Sequence, residues 1–189
     1  MRKLIIAVVV LLAAHVVLML AGIGRGNATL ARSGTTVGIV FDVGGRGDKS
    51  FNDGAYAGAD SARRMLGITP RYIEPGDGSD REGGLRLLAA EHMDLVMGVG
   101  FIFTDDLTNL AREYPKINFA GIDLSLAYDS TGKLIEPPPN LAALKFREEE
   151  GSFLVGALAA LVGHSKKVGF IGGMDIPLIH KFEAGYTAG

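Results

Sequence analysis

A chain of 189 residues, 48% of them hydrophobic and with 27 glycines placed largely at the ends of periodic segments, is long enough for one α/β domain and part of a second. Its formal charge of −2, without a Lys/Arg cluster, offers no basic surface and argues against nucleic acid as a partner. The lack of cysteine excludes disulfides, a thiol nucleophile, thiolate metal sites and lipid attachment through cysteine.

Residues 1–31 read as a signal peptide or membrane anchor. Arg2-Lys3 precede an apolar run from Leu4 to Ile23 broken only by His15, a charged start followed by a core longer than most signal peptides carry. About 20 apolar residues also suffice to span a bilayer uncleaved. Thr29-Leu-Ala31 is a tolerable cleavage site, whereas Leu20-Ala-Gly22 resembles the start of a lipoprotein processing site with Ile23 where the cysteine belongs. The expected location is therefore outside the cytoplasm, either periplasmic or at the cell membrane.

After a polar spacer the pattern alternates strand and helix. Val37–Phe41 predicts a strand, and a glycine-rich loop from Asp42 to Lys49 leads to a helix over Phe51–Leu66, with Tyr56, Ala59, Ala62, Met65 and Leu66 on its inner face. Ser50 and Asp53 have the spacing of a capping box. Gly67 ends the helix. Arg71–Ile73 is a second strand, and the loop Glu74–Ser79 opens a helix from about Asp80 to Glu91 that turns Leu85, Leu88 and Ala89 inward. Leu95–Val99, uncharged throughout, is a third strand suited to burial on both faces. A helix over Thr104–Glu113 stops before Pro115, a fourth strand runs from Ile117 to Ile122, and a fifth from Leu141 to Phe146; Leu126–Asn140 between them is a surface excursion. Beyond it come a helix over Glu148–Val162, a strand over Lys167–Ile171, and a second glycine loop, Gly172 to Asp175, opening a helix with Pro177 in its first turn. Residues 36–146 thus form a first α/β lobe with a parallel sheet, and 147–189 begin a second on the same plan.

The strand–loop–helix unit at 37–53 is the chemical focus. A P-loop needs glycine directly before Lys-Ser, but Asp48 stands there; a dinucleotide fingerprint needs a third glycine where the chain has Ser50. Arg46-Gly-Asp48 spells an adhesion triplet, which three residues in a glycine-rich loop produce by chance. Polar hydroxyls suit Asp42 and Asn52 better than phosphate does, since a carboxylate accepts from two hydroxyls and an amide both donates and accepts. In a parallel sheet ligands bind beyond the carboxyl ends of the strands. Asp42, Gly100, Phe101 and Asp123 all fall at such ends, with Phe51 and Asn52 beside them, and the second glycine loop adds Asp175 to the candidate ligand-binding residues. Catalysis is poorly served: neither His164 nor His180 has triad spacing, no spacing motif suggests a metal, and a hydrolase built on the Asp42 and Asp123 carboxylates is the one enzymatic alternative. No cofactor is indicated.

Several segments together resemble the basic membrane protein family of ABC-transporter substrate-binding lipoproteins. They are Asp42-Val-Gly-Gly45 with Asp48-Lys-Ser-Phe-Asn52, Gly98-Val-Gly-Phe101, Tyr114-Pro115, Phe119-Ala-Gly-Ile-Asp123, Phe146-Arg-Glu-Glu-Glu-Gly151 and Val168-Gly-Phe-Ile-Gly-Gly173. The resemblance covers residues 36–189 and implies a type I periplasmic-binding-protein fold, two doubly wound lobes that close on a ligand, with the first lobe nearly complete here and the second truncated. It also implies a receptor rather than an enzyme, delivering a purine nucleoside or similar small ligand to an ABC permease. In such receptors Phe51 would stack on the base, Asn52 would bond a base edge and Asp123 would hold ribose hydroxyls, with Asp42 close by. A sugar or other small-ligand sensor on the same fold is the alternative. Family members run to nearly twice this length, so the expectation for the 189-residue chain is weak binding or none.

Overall fold

The computed structural model describes residues 34–76, 80–125, 130–131, 133–165 and 167–189. The expected signal or anchor segment, part of the loop at 74–79 and part of the excursion at 126–140 lie outside the described residues. The chain divides into two units, Met1–Gly34 and Thr35–Gly189, and every element described below belongs to the second.

Five strands, β1 (Thr36–Val40), β2 (Thr69–Ile73), β3 (Leu95–Val99), β4 (Asn118–Ile122) and β5 (Leu141–Leu144), form one sheet in the order β2-β1-β3-β4-β5. Every pairing is parallel, and helices carry the connections from β1 to β2, β2 to β3 and β3 to β4. Those helices are α1 (Phe51–Leu66), α2 (Arg81–Ala90) and α3 (Thr104–Glu113), the last preceded by a 3₁₀ turn at Phe101–Phe103. The chain then runs through α4 (Glu148–Val162) and α5 (Pro177–Ala188).

The two-residue period of a strand sorts the core. From β1, Val37, Ile39 and Phe41 face α1 and pack with Ala59 and Val99. Val40 faces the other way, into a larger cluster with Leu85, Leu88 and Ala89 of α2 and Leu107, Leu110 and Ala111 of α3. Gly38 lies on that second face because α2 comes down on it; a Cβ there would stand 2.8 Å from Leu88 Cδ1. Gly98 and Gly121 play the same part beneath Phe103, Leu107 and Leu124. Asn140 anchors the end of the excursion, its Nδ2 donating to the carbonyls of Ala111 (2.9 Å), Tyr114 (3.2 Å) and Ile117 (2.8 Å).

Three local expectations are corrected. Met65 and Leu66 are 80% and 76% exposed rather than core; Leu66 borders an apolar cavity of about 840 Å³ that Leu95 and Met97 of the sheet also line. Lys167–Ile171 is not a strand: no neighbouring strand pairs with it among the described residues, and a strand exists through its ladder. Finally, the Ser50 side chain makes no capping bond. Asp48 caps α1 instead, accepting from the N–H groups of Ser50 (2.9 Å), Asn52 (2.9 Å) and Asp53 (3.1 Å).

Helices α4 and α5 pack against each other through their smallest residues. A Cβ on Gly156 would collide with the Tyr186 carbonyl, and one on Gly185 with the Glu149 carbonyl. Ser152 Oγ donates to the Phe182 carbonyl at 2.6 Å across the same contact. Away from it α4 is apolar and open to solvent, with Leu154, Leu158, Leu161 and Val162 all exposed.

Candidate functional site

The rim of the sheet at the strand carboxyl ends is built by register. Val40 pairs with Gly98, Val99 with Ile122, and Ile122 with Leu144, so the residues that follow β1, β3 and β4 emerge side by side. These are Asp42, Gly100 and Asp123.

Asp42 and Gly100 touch. Gly100 has φ 117°, its N–H donates to the Ile122 carbonyl at 2.9 Å, and a Cβ there would lie 2.6 Å from Asp42 Oδ2. Only glycine satisfies both demands. The Asp42 carboxylate accepts from the Val43 N–H at 2.6 Å, and the Asp42 N–H donates to Asn52 Oδ1 at 3.1 Å. Asn52 is itself buried, so its amide oxygen braces the rim from below. Burial pushes the Asp42 carboxyl above its ordinary range, while the Val43 N–H and the Arg81 guanidinium pull the other way.

Most backbone donors of the glycine loop are occupied. Gly47 and Lys49 N–H bond to the Asp53 carboxylate at 2.7 and 2.9 Å, Arg46 N–H bonds to Glu74 Oε2 at 3.0 Å, and Asp48 takes the three N–H groups that open α1. Three carboxylates thus stand where a phosphate-binding loop would hold its anion. Arg46 also ion-pairs with Glu74 at 2.6 Å and lies over the rings of Tyr56 and Tyr72 at 4.9 and 5.6 Å, latching the loop to the end of β2.

Asp123 holds the left-handed conformation, φ 64°, with its N–H donating to the Leu144 carbonyl at 2.7 Å. Its Oδ1 is buried with no hydrogen-bond partner among the described residues. Burial, then the negative charge of Glu148, push its carboxyl above the ordinary range against the pull of Lys145 and Lys181.

Phe51 opens α1 half-buried, and its ring meets that of Phe146 edge-on, with centroids 6.5 Å apart and planes at 67°. Phe101 starts the 3₁₀ turn and is half-buried beside the rim. Asp175 is placed differently: its side chain is 95% exposed and bonds His180 Nε2 at 2.8 Å, within the segment leading into α5. Sequence reasoning did not single out Arg81, Phe146, Glu148 or Lys181 as neighbours of these groups. Phe146 and Glu148 do fall in one of the quoted segments, yet side chains that meet through folding leave no spacing signal.

A five-stranded parallel sheet in this order, with helices on both faces and acidic residues at the strand ends, is the lobe of a type I periplasmic binding protein. The model of the Bmp family, described as ABC transporter substrate-binding protein PnrA-like, matches residues 35–189, and the chain belongs to that family. An uncharacterized lipoprotein of Pyrococcus abyssi is 38% identical over all of this chain and 46% of its own length. The ABC transporter nucleoside-binding protein BmpA of Lactococcus lactis is 30% identical over all of this chain and 53% of its own. Among solved structures, an ABC-transporter solute-binding protein of Aeropyrum pernix is 35% identical, with a TM-score of 0.66 over 80% of this chain and 41% of that one. The chain therefore spans about half the length of the relatives it matches.

Proposed function

We propose that the whole protein is the extracytoplasmic receptor of an ABC importer, and that the rim of this lobe takes one side of a purine nucleoside. The observation that carries the reading is the placement of two carboxylates, Asp42 and Asp123, at the ends of β1 and β4 on either side of β3, beside a loop most of whose backbone donors are spent on Asp48, Asp53 and Glu74. Such a rim accepts hydrogen bonds from uncharged hydroxyls and repels phosphate. Phe51 supplies a half-buried ring for a base to stack on, an interaction typically worth about 1–3 kcal/mol. Asn52 presents what its brace to Asp42 leaves of the amide, Gly100 keeps the approach to Asp42 clear, and Phe101 and Asp175 border the ligand from the turn after β3 and from the second lobe. The Lactococcus lactis relative named as nucleoside-binding supports the choice of ligand. The protein is exported and presents its ligand to a membrane permease, in keeping with relatives named as lipoproteins.

Calorimetric titration with inosine, guanosine, free ribose and inosine monophosphate tests this reading. Nucleosides bind and are recovered unchanged, the monophosphate binds more weakly, and Asp123→Asn weakens the nucleosides by tenfold or more, about 1.4 kcal/mol. Release of free base would favour a carboxylate hydrolase, and tighter binding of ribose than of nucleoside would favour a sugar receptor.

A further inference from the structure

The described residues contain a second buried carboxylate that the ligand reading does not use. Glu148, the first residue of α4, has a side chain only 3% exposed, yet its Oε1 has no hydrogen-bond partner among the described residues. Its Oε2 ion-pairs with Lys181 of α5. Lys181 is held there because Gly185, one turn further along α5, lets the two helix backbones approach, and because Ser152 ties α4 to the Phe182 carbonyl. On its other side Glu148 faces Asp123, whose Oδ1 is likewise buried and without a partner. Two orphaned acceptor oxygens from facing carboxyl groups are satisfied together by one proton between them.

We propose that Glu148 is a positioning residue of the ligand site, and that Asp123 and Glu148 form a carboxyl pair sharing one proton, clamped by Lys181. The proposal rests on the nucleoside reading for its consequence and on geometry for its existence. Asp123 and Glu148 carry two negative charges against the single Lys181 ammonium in direct contact with the pair; a shared proton removes the like-charge repulsion. The proton occupies Oδ1 of Asp123 and turns Oδ2 outward to accept a ligand hydroxyl. The charged groups facing the pair are Lys145, following β5, Lys181 of α5, and Glu149 of α4, which contacts Lys181 at 3.5 Å.

Carbon-13 NMR of the full chain labelled at the aspartate carboxyl groups reads the pairing without any ligand. Asp123 titrates above the ordinary aspartate range, Glu148→Gln lowers its midpoint, and Lys181→Met raises it further. Asp42, which Glu148 does not reach, keeps its own midpoint in both variants and reports that the lobe is folded. Should Glu148→Gln fail to fold, Lys181→Met, which removes a side chain 39% exposed, carries the test alone. An ordinary Asp123 midpoint, or one indifferent to the variants that fold, overturns the pairing. Inosine added up to millimolar concentration to the same samples reads the consequence. The pH at which affinity changes follows the Asp123 midpoint from wild type to variant. An inosine pH profile that stays put while the Asp123 midpoint moves overturns the positioning role, whereas no inosine response at any pH, with the midpoint shifts intact, counts against a nucleoside site within this lobe and leaves the pair standing.

Discussion

Single residues at the rim pull stability and function in opposite directions. Asp42 and Asp123 have carboxyl groups raised above their ordinary range, chiefly by burial. A raised folded-state value favours the folded protein below the unfolded aspartate pKa of about 3.9, and that contribution is lost as pH rises through the folded values. At neutral pH both carboxylates therefore cost stability, and Asp123→Asn, which keeps an αL-tolerant residue, raises the urea midpoint at pH 7 while weakening nucleoside binding. Asp48 behaves in the opposite sense. Backbone N–H groups, that of Asn52 foremost, hold its carboxyl below the ordinary range, so its stabilisation is present above about pH 3.9 and lost as pH falls through the depressed value. Asp48→Asn lowers the urea midpoint at pH 7 and flattens the acid limb, whereas Ser50→Ala changes stability by less than about 0.5 kcal/mol, because its hydroxyl makes no capping bond. Gly100→Ala brings a Cβ against Asp42 Oδ2 at a φ of 117° and costs about 1–3 kcal/mol in denaturant unfolding.

Elements owe their positions to where side chains are missing. The α4–α5 contact depends on Gly156 and Gly185, and a methyl group at either site collides with a backbone carbonyl that cannot swing aside. Gly156→Ala and Gly185→Ala are expected to destabilise the pair by about 1–3 kcal/mol each, read as loss of helical circular dichroism at lower urea concentration than in wild type. Gly54→Ala, a helix glycine with open space around it, is the control and is neutral or stabilising, since alanine forms helix about 1 kcal/mol better. The same pair of variants lowers the Asp123 midpoint-shift produced by Lys181→Met, because a displaced α5 no longer brings Lys181 to Glu148.

At the scale of the whole molecule the lobe offers one wall of a cleft. A ligand held by a rim alone keeps much of its surface in water, and a two-lobed site that buries most of a small ligand gains several kcal/mol over it. A polypeptide extended to the length of the Pyrococcus abyssi relative should therefore bind inosine at least a hundredfold more tightly than the 189 residues alone, about 2.7 kcal/mol, by calorimetry of the two side by side. Equal affinity would place the whole site in this lobe. The open apolar flank of α4, with Leu154, Leu158 and Leu161 exposed, predicts that the 189-residue chain binds a hydrophobic dye in its native state and that Leu158→Glu reduces the signal without loss of helix.

Alternation of apolar runs with helix-period segments determined the parallel sheet by itself, and the bounds of α1 and α3 follow from Ser50, Gly67 and Pro115 at their ends. Local chemistry at a strand or helix end is written in neighbouring residues, which is why the rim positions of Asp42, Gly100 and Asp123 were legible. The cap of α1 is not legible in the capping-box spacing of Ser50 and Asp53, because only the folded loop brings the Asp48 carboxylate onto the N–H groups of Ser50, Asn52 and Asp53. Met65 and Leu66 fit the apolar stripe of α1, but burial depends on what lies opposite, and both are exposed, Leu66 at the border of a cavity. The meeting of Asp123 with Glu148 and Lys181 spans residues distant in sequence. No period or motif encodes such a contact, because it depends on how α4 packs on α5, and packing is a property of the tertiary structure alone.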